Sequence, residues 1–333
     1  MINMTDELKN KIVQHISSDA VSCDLLWSLF SAALFTYRHD TVLRPFPSDF
    51  IDTNGEKDFE NLENVARDIP NLKLVPDALK ANQIPEQSCQ LLNWVIDTKT
   101  FSLKTQDTKQ FQNILELTGE ASYEVKPDYV FEVQYCTASE EKFNRLRQSK
   151  DLLYAYHGSR LENFYSILHN GLHSHMNKTS LFGEGTYLSS DLSISLPYSP
   201  TCKGWHSSNL GESLSCVAVC EMIDHPDVKC QVKDSKTGSK GRTYAANSMG
   251  GEVPQKYYVV QNNEVIRLKY LLVFGSKVVS KTKVRSADRQ PKWVKWIRQN
   301  SFLVTILFYI MVLLFIGLYN SKNARKFLKK YLL

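Results

Sequence analysis

The stretch YHGSR at residues 156–160 ends one element of the chain and begins another. The residues before it, 152–156, form a short apolar run that is typical of a β-strand. His157 and Gly158 then place a polar ring and a bare backbone at the end of that strand. Glycine allows another group to come close to the main chain, so this junction is a candidate binding site.

A helix is predicted directly after the junction. Ser159 and Glu162 have the spacing of a capping box, and Gly171 occupies the position of a left-handed C-cap. Apolar side chains recur between them with the spacing of one helix face. These side chains are Leu161, Phe164, Leu168 and Leu172.

The chain then reaches LFGEGTYLSS at residues 181–190, in which two glycines precede an aromatic residue. Gly183 and Gly185 would allow a flat ligand to approach the backbone, and Tyr187 would stack on it. The pattern is not a dinucleotide-binding fingerprint, because Leu188 stands where the third glycine belongs and no βαβ unit surrounds it.

Composition places the chain among ordinary globular proteins. It has 333 residues, of which 43% are apolar and 23% are charged, enough for about two folded units. The net charge of +5 is modest, and much of the basic excess lies near the C-terminus. A nucleic-acid partner is therefore not expected.

The cysteines indicate a reduced protein that faces the cytosol. Their number is odd and they are widely spaced, which argues against a disulfide framework. Cys216 and Cys220 share one face of a predicted strand and His225 follows, but a metal site needs more ligands, so we expect buried strand cysteines and no metal. The full set is Cys23, Cys89, Cys136, Cys202, Cys216, Cys220 and Cys230.

Residues 1–97 are predicted to form a small helical domain. The run LLWSLFSAALF at 25–35 is too short to cross a bilayer and is bounded by Asp24 and Arg38, so we interpret it as a buried helix. Further helices are expected near residues 57–68 and 86–96, between several prolines.

Strand patterns dominate residues 98–278, the predicted second domain. Runs rich in β-branched or aromatic residues occur at 129–135, 213–223, 257–261 and 265–274. Asn262 and Asn263 resemble a hairpin turn between the last two runs. The fold class is thus α+β, with a helical domain followed by a mixed or antiparallel sheet.

Residues 302–319 form an uncharged run of membrane-spanning length, roughly 27 Å at about 1.5 Å per residue. Basic residues flank it in the predicted linker 279–301 and in the tail 320–333. We predict a transmembrane helix here, and a buried core helix is the alternative. The excess of positive charge before the run predicts that the N-terminal side is cytosolic and that the short tail is lumenal.

The combined pattern resembles the catalytic domain of the poly(ADP-ribose) polymerase superfamily over roughly residues 98–278. The histidine, the tyrosine and a late strand containing KYLL at 269–272 occur in the order of that family. The resemblance implies the split, mostly antiparallel sheet of the ADP-ribosyltransferases. With the helical domain and the C-terminal run, it also implies a tail-anchored mono-ADP-ribosyltransferase of the endoplasmic reticulum, with NAD as co-substrate and no metal.

The resemblance assigns NAD-binding roles to several residues. His157 matches the histidine that holds the adenosine ribose, and Gly158 matches the glycine whose backbone pairs with the nicotinamide carboxamide. Tyr187 and Tyr198 match the two tyrosines that enclose the nicotinamide ring. Two serines complete the expected contacts: Ser195 would reach the carboxamide oxygen, and Ser159 would touch the ligand.

The third position of the family motif differs. Tyr257 stands where polymerising members carry a glutamate. Tyr258 faces the other side of the strand, and Glu264 lies beyond the expected turn, so neither replaces that carboxylate. A phenol is neutral at pH 7 and is a poor general base. The catalytic set would be His157, Tyr187 and Tyr257, and chain elongation should fail.

The resemblance therefore implies transfer of a single ADP-ribose to protein side chains at the cytosolic face of the endoplasmic reticulum, with self-modification. Partners would be protein substrates and, through residues 302–319, the lipid bilayer. The missing glutamate leaves one alternative open, a pseudoenzyme that binds NAD or ADP-ribose. The helical domain leaves a second alternative open, in which the chain is a membrane-anchored adaptor.

Overall fold

A computed structural model describes residues 4–173, 181–231, 242–245, 247–275 and residue 309. The described residues up to Gly275 belong to one compact unit. Helices come first and an antiparallel sheet follows, which confirms the α+β class. The predicted segments 279–301, 302–319 and 320–333 lie outside the described residues apart from Tyr309. Within the described ranges, no helix is long and apolar enough to cross a membrane.

The N-terminal region consists of helices packed around a central one. Helix α2 is buried from Ser22 to Leu34, which confirms the interpretation of its apolar run as a core helix. Asp19 caps it by accepting the N–H of Ser22 at 2.9 Å. The helices are α1 (Met4–Ser18), α2 (Ala20–Leu34), α3 (His39–Val42), α4 (Phe59–Arg67), α5 (Val75–Lys80) and α6 (Glu86–Ile96).

Asp24 connects this helical region to the rest of the unit. Its side chain lies on α2 and is fully buried. The carboxylate accepts hydrogen bonds from the hydroxyl of Ser208 and from the backbone and side-chain N–H groups of Asn209, the latter two at 2.8 and 2.9 Å. A buried carboxylate requires such donors, so α2 and the segment around residue 209 depend on each other.

The sheet that follows has nine strands among the described residues, and every pairing is antiparallel. Its order is β1-β2-β9-β6-β3-β4-β8-β7, with β5 paired to β6. The strands are β1 (Phe101–Gln106), β2 (Tyr129–Tyr135), β3 (Leu152–Gly158), β4 (Thr186–Ser189), β5 (Cys202–Lys203), β6 (Ser213–Ile223), β7 (Val228–Lys229), β8 (Tyr257–Val260) and β9 (Ile266–Gly275).

Helices cover both faces of the sheet. One face packs with α2 and α9 and contains Cys216 and Cys220, which are fully buried, as predicted. The other face packs with α7 and contains Tyr156. All seven cysteines, which lie within the described residues, are free thiols. The helices of this part are α7 (Gln110–Thr118), α8 (Thr137–Arg147), α9 (Leu161–Asn170) and α10 (Leu192–Ser195).

The predicted hairpin at Asn262 and Asn263 is wrong. Strand β8 pairs with β4 and β7, whereas β9 pairs with β2 and β6. A 3₁₀ turn, Asn263–Val265, separates them, and the side chain of Asn262 accepts the N–H of Glu264. Strand β9 is buried on both faces over most of its length, so it is a central strand that requires a neighbour on each side.

Candidate active site

The site lies where the sheet opens between β3 and β4. These two strands pair only at Tyr156 opposite Ser189 within the described residues. Strand β3 continues past this pair to His157 and Gly158. The end of β3 therefore keeps an edge beside β4 that no strand in the described ranges fills, and a ligand can use the backbone groups of such an edge.

His157 is held by the strand across this opening. Its Nδ1 lies 3.0 Å from the backbone oxygen of Tyr187, and the residue is 9% exposed. Burial lowers the pKa of His157, an effect that the hydrogen bond to Tyr187 only partly offsets. A neutral ring that donates from Nδ1 to a carbonyl keeps Nε2 as an acceptor. His157 can therefore accept a hydrogen bond from a ligand hydroxyl at Nε2.

The hydroxyl of Tyr187 is fully engaged by the preceding turn. It donates to the backbone oxygen of Gly183 at 2.7 Å and accepts the N–H of Phe182 at 2.9 Å. Burial raises the pKa of Tyr187, so the phenol remains neutral. Because both ends of this side chain are fixed, the ring face is what Tyr187 can offer to a ligand.

The structure explains why glycine is needed at the two positions before Tyr187, which the sequence alone did not reveal. Gly183 has φ of +94°, a backbone conformation that favours glycine. A Cβ on Gly185 would lie 2.5 Å from Cγ1 of Val259 and 2.9 Å from the backbone oxygen of Val260. Gly183 thus forms the turn, and Gly185 allows the turn to pack on β8.

Gly158, Ser195 and Tyr198 lie close together at the end of β3. A Cβ on Gly158 would overlap the backbone oxygen of Ser195 and reach within 3.0 Å of Cβ of Tyr198. The hydroxyl of Ser195 is buried and donates to the backbone oxygen of Tyr156 at 3.0 Å. The ring of Tyr198 is 67% exposed, so it is free to cover a ligand.

Ser159 does not cap the following helix, so the predicted capping box is wrong. Helix α9 begins at Leu161 with Arg160 at the N-cap and without a side-chain cap. Ser159 accepts from the side-chain amide of Asn163 at 2.9 Å, and its own N–H donates to the hydroxyl of Ser199 at 3.0 Å. Glu162 instead binds Nε of Arg160 at 2.5 Å, which removes it from the capping role.

Asn163 and Ser199 are site neighbours that sequence reasoning missed. A signal existed for Asn163, because it lies one helical turn after Ser159. The sequence gave no signal for Ser199, because its contact is with Ser159, forty residues earlier in the chain. Gly171 is the C-cap residue of α9, which confirms the predicted end of that helix. Its conformation is not the predicted left-handed one, because φ of +79° is combined with ψ of −176°.

Tyr257 lies on the same face of the sheet as Tyr187. In the β4–β8 pair, Tyr257 is opposite Ser189 and Val259 is opposite Tyr187, so the two tyrosines are diagonal neighbours. The ring of Tyr257 is 6.5 Å from the ring of Phe182. Strand pairing therefore brings the third predicted position next to the second.

Lys256, the residue before β8, is tied to the end of β4 and to the N-cap residue of α10 by contacts that the sequence did not suggest. The backbone oxygen of Lys256 accepts from the hydroxyl of Ser189 and from the N–H of Ser190, both at 2.9 Å. The ammonium of Lys256 pairs with Asp191 at 2.7 Å. Lys256 has φ of +67°, an uncommon conformation for a non-glycine residue.

Other groups near the third position do not enter the site. Glu264 pairs with Lys142 at 2.7 Å on the surface, and Tyr258 lies on the opposite face of β8 from Tyr257. The described ranges contain no group of three or more side chains that could hold a metal ion.

Comparison with known families gives two adjacent matches. Residues 105–276 match the poly(ADP-ribose) polymerase catalytic domain, and residues 14–96 match the ARTD15 N-terminal domain. The first match includes the opening between β3 and β4 and all of the residues that the site brings together.

Curated relatives agree with these matches. The chain is 44% identical to protein mono-ADP-ribosyltransferase PARP16 of Mus musculus and of Homo sapiens, over 93% of this chain and 94% of each relative. It is 25% identical to protein mono-ADP-ribosyltransferase PARP8 of Mus musculus over 66% of this chain and 30% of that protein. The chain therefore belongs to the poly(ADP-ribose) polymerase family.

Proposed function

We propose that the chain transfers one ADP-ribose unit from NAD to side chains of proteins, including its own. As a member of this family the chain is an NAD-dependent ADP-ribosyltransferase. The reaction is a pentosyl transfer. The bond between the ribose carbon and the nicotinamide nitrogen breaks, its electron pair leaves with nicotinamide, the acceptor atom bonds to that carbon, and the proton of the acceptor passes to solvent.

The adenosine side of NAD is assigned to His157 and Ser159. The Nε2 of His157 would accept a hydrogen bond from a ribose hydroxyl, which suits a ring kept neutral by burial. Ser159 lies two residues further along and is held by Asn163 and Ser199. These contacts fix the backbone that follows β3, so binding does not need to order it.

The nicotinamide side is assigned to Gly158, Ser195, Tyr187 and Tyr198. The backbone of Gly158 would pair with the carboxamide, in the space that a Cβ would otherwise share with Ser195. The resemblance directs the hydroxyl of Ser195 to the carboxamide oxygen, but in this structure the hydroxyl donates to the backbone oxygen of Tyr156. Its lone pairs would instead accept from the carboxamide N–H₂. The two tyrosine rings would enclose a flat cation, for which cation–π attraction adds to burial.

The observation that carries the proposal is Tyr257 beside Tyr187 at the position where polymerising members have a glutamate. A phenol can donate a hydrogen bond to the ribose, but it does not activate a second ADP-ribose as a nucleophile. Departure of a cationic leaving group requires stabilisation of positive charge at the ribose carbon rather than a strong acid. A single transfer remains feasible.

Incubation of the full chain with NAD labelled in its adenylate part tests the proposal. We expect label on protein that is removed as single units, together with release of nicotinamide. The missing glutamate favours one rival, a pseudoenzyme that binds NAD or ADP-ribose. Retained NAD binding without nicotinamide release or label on any protein would establish that rival instead.

We further propose that the enzyme is tail-anchored in the endoplasmic reticulum with its catalytic part in the cytosol. The uncharged run 302–319 and the basic residues around it support this location. The family matches at 14–96 and 105–276 support the division into a helical domain at 1–97 and a catalytic domain at 98–278. A glycosylation acceptor placed after Leu333 should be modified in cells, whereas modification of one placed near Met1 would reverse the topology.

A further inference from the structure

A cavity of 330 Å³ lies between helix α2, the start of α9 and strand β5. Ser31 and Phe35 line it from α2, Arg160 and Glu162 line it from the start of α9, and Lys203 lines it from β5. Its volume is in the range of cavities that hold small molecules. The cavity is distinct from the opening between β3 and β4, because none of the residues assigned to NAD above lines it.

The hydroxyl of Ser31 is buried at this cavity without a partner. The residue is 1% exposed, and within the described ranges its Oγ has no hydrogen bond. Other serine hydroxyls of α2 are satisfied, since Ser22 donates to the backbone oxygen of Asp19 at 3.0 Å and Ser28 donates to the carboxylate of Asp24 at 3.3 Å. A buried hydroxyl is costly unless a bound group supplies the missing hydrogen bond. The unpaired donor of Ser31 therefore indicates a ligand.

Arg160 offers two further donor groups to the cavity. Its Nε is paired with the carboxylate of Glu162 at 2.5 Å. In the part of the chain that the structure describes, the two terminal nitrogens of this guanidinium have no hydrogen bond, and the side chain is 51% exposed. A guanidinium whose terminal nitrogens are both available can bind two oxygens of one anion.

The charges that line the cavity are predominantly positive. Lys203 adds a second cation, and the ion pairs of the described residues do not include it. Glu162 is the one acidic residue among the described residues of the lining. Its carboxylate is already paired with Arg160 and lies 4.0 Å from the guanidinium of Arg38. The charge that remains unpaired therefore favours an anionic ligand.

We propose that this cavity binds a small molecule that carries a phosphate monoester. The donors fit that group, because the guanidinium of Arg160, the hydroxyl of Ser31 and the ammonium of Lys203 together suit three oxygens, whereas a carboxylate offers only two. The burial of Ser31 favours a molecule that enters the cavity from water over a headgroup that stays in a membrane surface. The inference goes beyond the proposed function, because binding requires neither NAD nor an acceptor protein.

The bound molecule would connect the helical region to the sheet. Ser31 belongs to α2, whereas Arg160 and Lys203 belong to the part of the chain that contains the sheet. Such a ligand contacts both sides only while the chain is folded. A molecule that binds the folded chain and not the unfolded one raises the thermal midpoint as its concentration rises.

Equilibrium dialysis of the full chain tests the site directly. The probes are radiolabelled inorganic phosphate and ribose 5-phosphate, with the ionic strength held constant by sodium chloride. We expect saturable binding of a single molecule per chain and a thermal midpoint that rises with the concentration of either probe. A non-cleavable analogue of NAD should not displace the bound phosphate, because the two sites share no residue. Acetate should compete poorly, because it has one oxygen fewer to offer.

Variants of Ser31 and Lys203 provide the matched comparison. Ser31→Ala and Lys203→Gln should each weaken phosphate binding by about tenfold, the order of one hydrogen bond to a charged group. Because the hydroxyl of Ser31 has no partner, Ser31→Ala should keep the thermal midpoint of the ligand-free chain and the rate of nicotinamide release. Arg160 is retained, since its loss would remove the closest partner of the buried carboxylate of Glu162. Lys80→Gln removes a cation on α5, whose side chain is 76% exposed, and should leave phosphate binding unchanged.

The remaining outcomes overturn the inference. Equal phosphate affinity in the wild type and in Ser31→Ala would exclude the cavity as the binding site. Displacement of the phosphate by the NAD analogue would place it in the NAD site, and equal weakening by Lys80→Gln and Lys203→Gln would reduce it to attraction by net charge. If the free probes did not bind, while Ser31→Ala lost affinity for phosphatidic acid vesicles, the ligand would be a lipid headgroup instead.

Discussion

His157 and Tyr187 are joined by a hydrogen bond of 3.0 Å between the ring Nδ1 of the histidine and the backbone oxygen of the tyrosine. This contact links β3 and β4 just beyond the single residue pair that the two strands share. It fixes the tautomer of the ring and the separation of the two strands at once. The site therefore depends on His157 both for ligand binding and for its own shape.

Replacement of His157 by alanine should lower kcat/KM for NAD by roughly tenfold to a hundredfold. The change removes the Nε2 acceptor and leaves the backbone oxygen of Tyr187 without its donor, and a polar group left without its hydrogen-bond partner costs about 1–3 kcal/mol. Nicotinamide release at varied NAD concentration measures the effect. An unchanged kcat/KM would show that His157 does not contact the ligand.

Gly158→Ala should abolish nicotinamide release while the protein remains folded. The added methyl group would overlap the backbone oxygen of Ser195 and push α10, with Tyr198, away from β3. Gly204→Ala is the matched control, because its added methyl would find its nearest atom at 3.6 Å, an ordinary contact. Equal activity of the two variants would contradict the role given to Gly158.

Substitutions of Tyr257 separate its ring from its hydroxyl. Tyr257→Phe keeps the ring beside Phe182 and should retain most of the transferase activity, because a phenol does not act as the base. Tyr257→Ala removes the packing as well and should lower the activity further. Initial rates of protein labelling by the two variants and by the wild type measure these effects. If Tyr257→Phe were as inactive as Tyr257→Ala, the hydroxyl would be needed for the chemistry.

The free energy of unfolding should decrease as the pH falls, because His169 is buried in its neutral form. Burial lowers the pKa of His169 from 6.5 to about 4, between the rings of Phe101 and Tyr165. Between these two pKa values the unfolded chain binds a proton that the folded chain does not, so stability present above pH 6.5 is lost as the pH falls towards 4.

His169→Phe removes this titration and keeps an aromatic ring at the position. Between pH 7 and pH 5 the free energy of unfolding of the wild type should fall by about 2 kcal/mol because of His169. The variant should not show this part of the decrease. Denaturant unfolding at pH 7 and pH 5 measures the difference. Equal acid sensitivity in both proteins would assign the effect to other groups.

Local sequence patterns predicted which segments form helices and strands better than they predicted which strands pair with each other. Helix α2 was predictable because an apolar run bounded by charges has no stable place except the interior. The β8–β9 hairpin was not, because two strands joined by a short polar segment look alike whether or not they pair. Pairing is decided by β9, whose buried faces require β2 and β6 on either side.

The residues of the candidate site that could be predicted are those that occur in the same order as the motif of the family. The resemblance supplied His157, Tyr187 and Tyr257 by their order, and the sheet register brings the two tyrosines together. It did not supply Ser199 or Lys256, because their contacts join segments that are remote in sequence. Such contacts depend on the final backbone positions, which no local pattern encodes.

The buried carboxylate of Asp24 has a consequence for how the activity can be studied. A fragment that begins at residue 98 would lack Asp24, and Ser208 and Asn209 would lose the carboxylate that fixes their segment. Removing the helices would therefore disturb the enzyme even if they also recruit partners. Substitution of a surface residue such as Leu74, which is 60% exposed, tests recruitment while Asp24 stays in place.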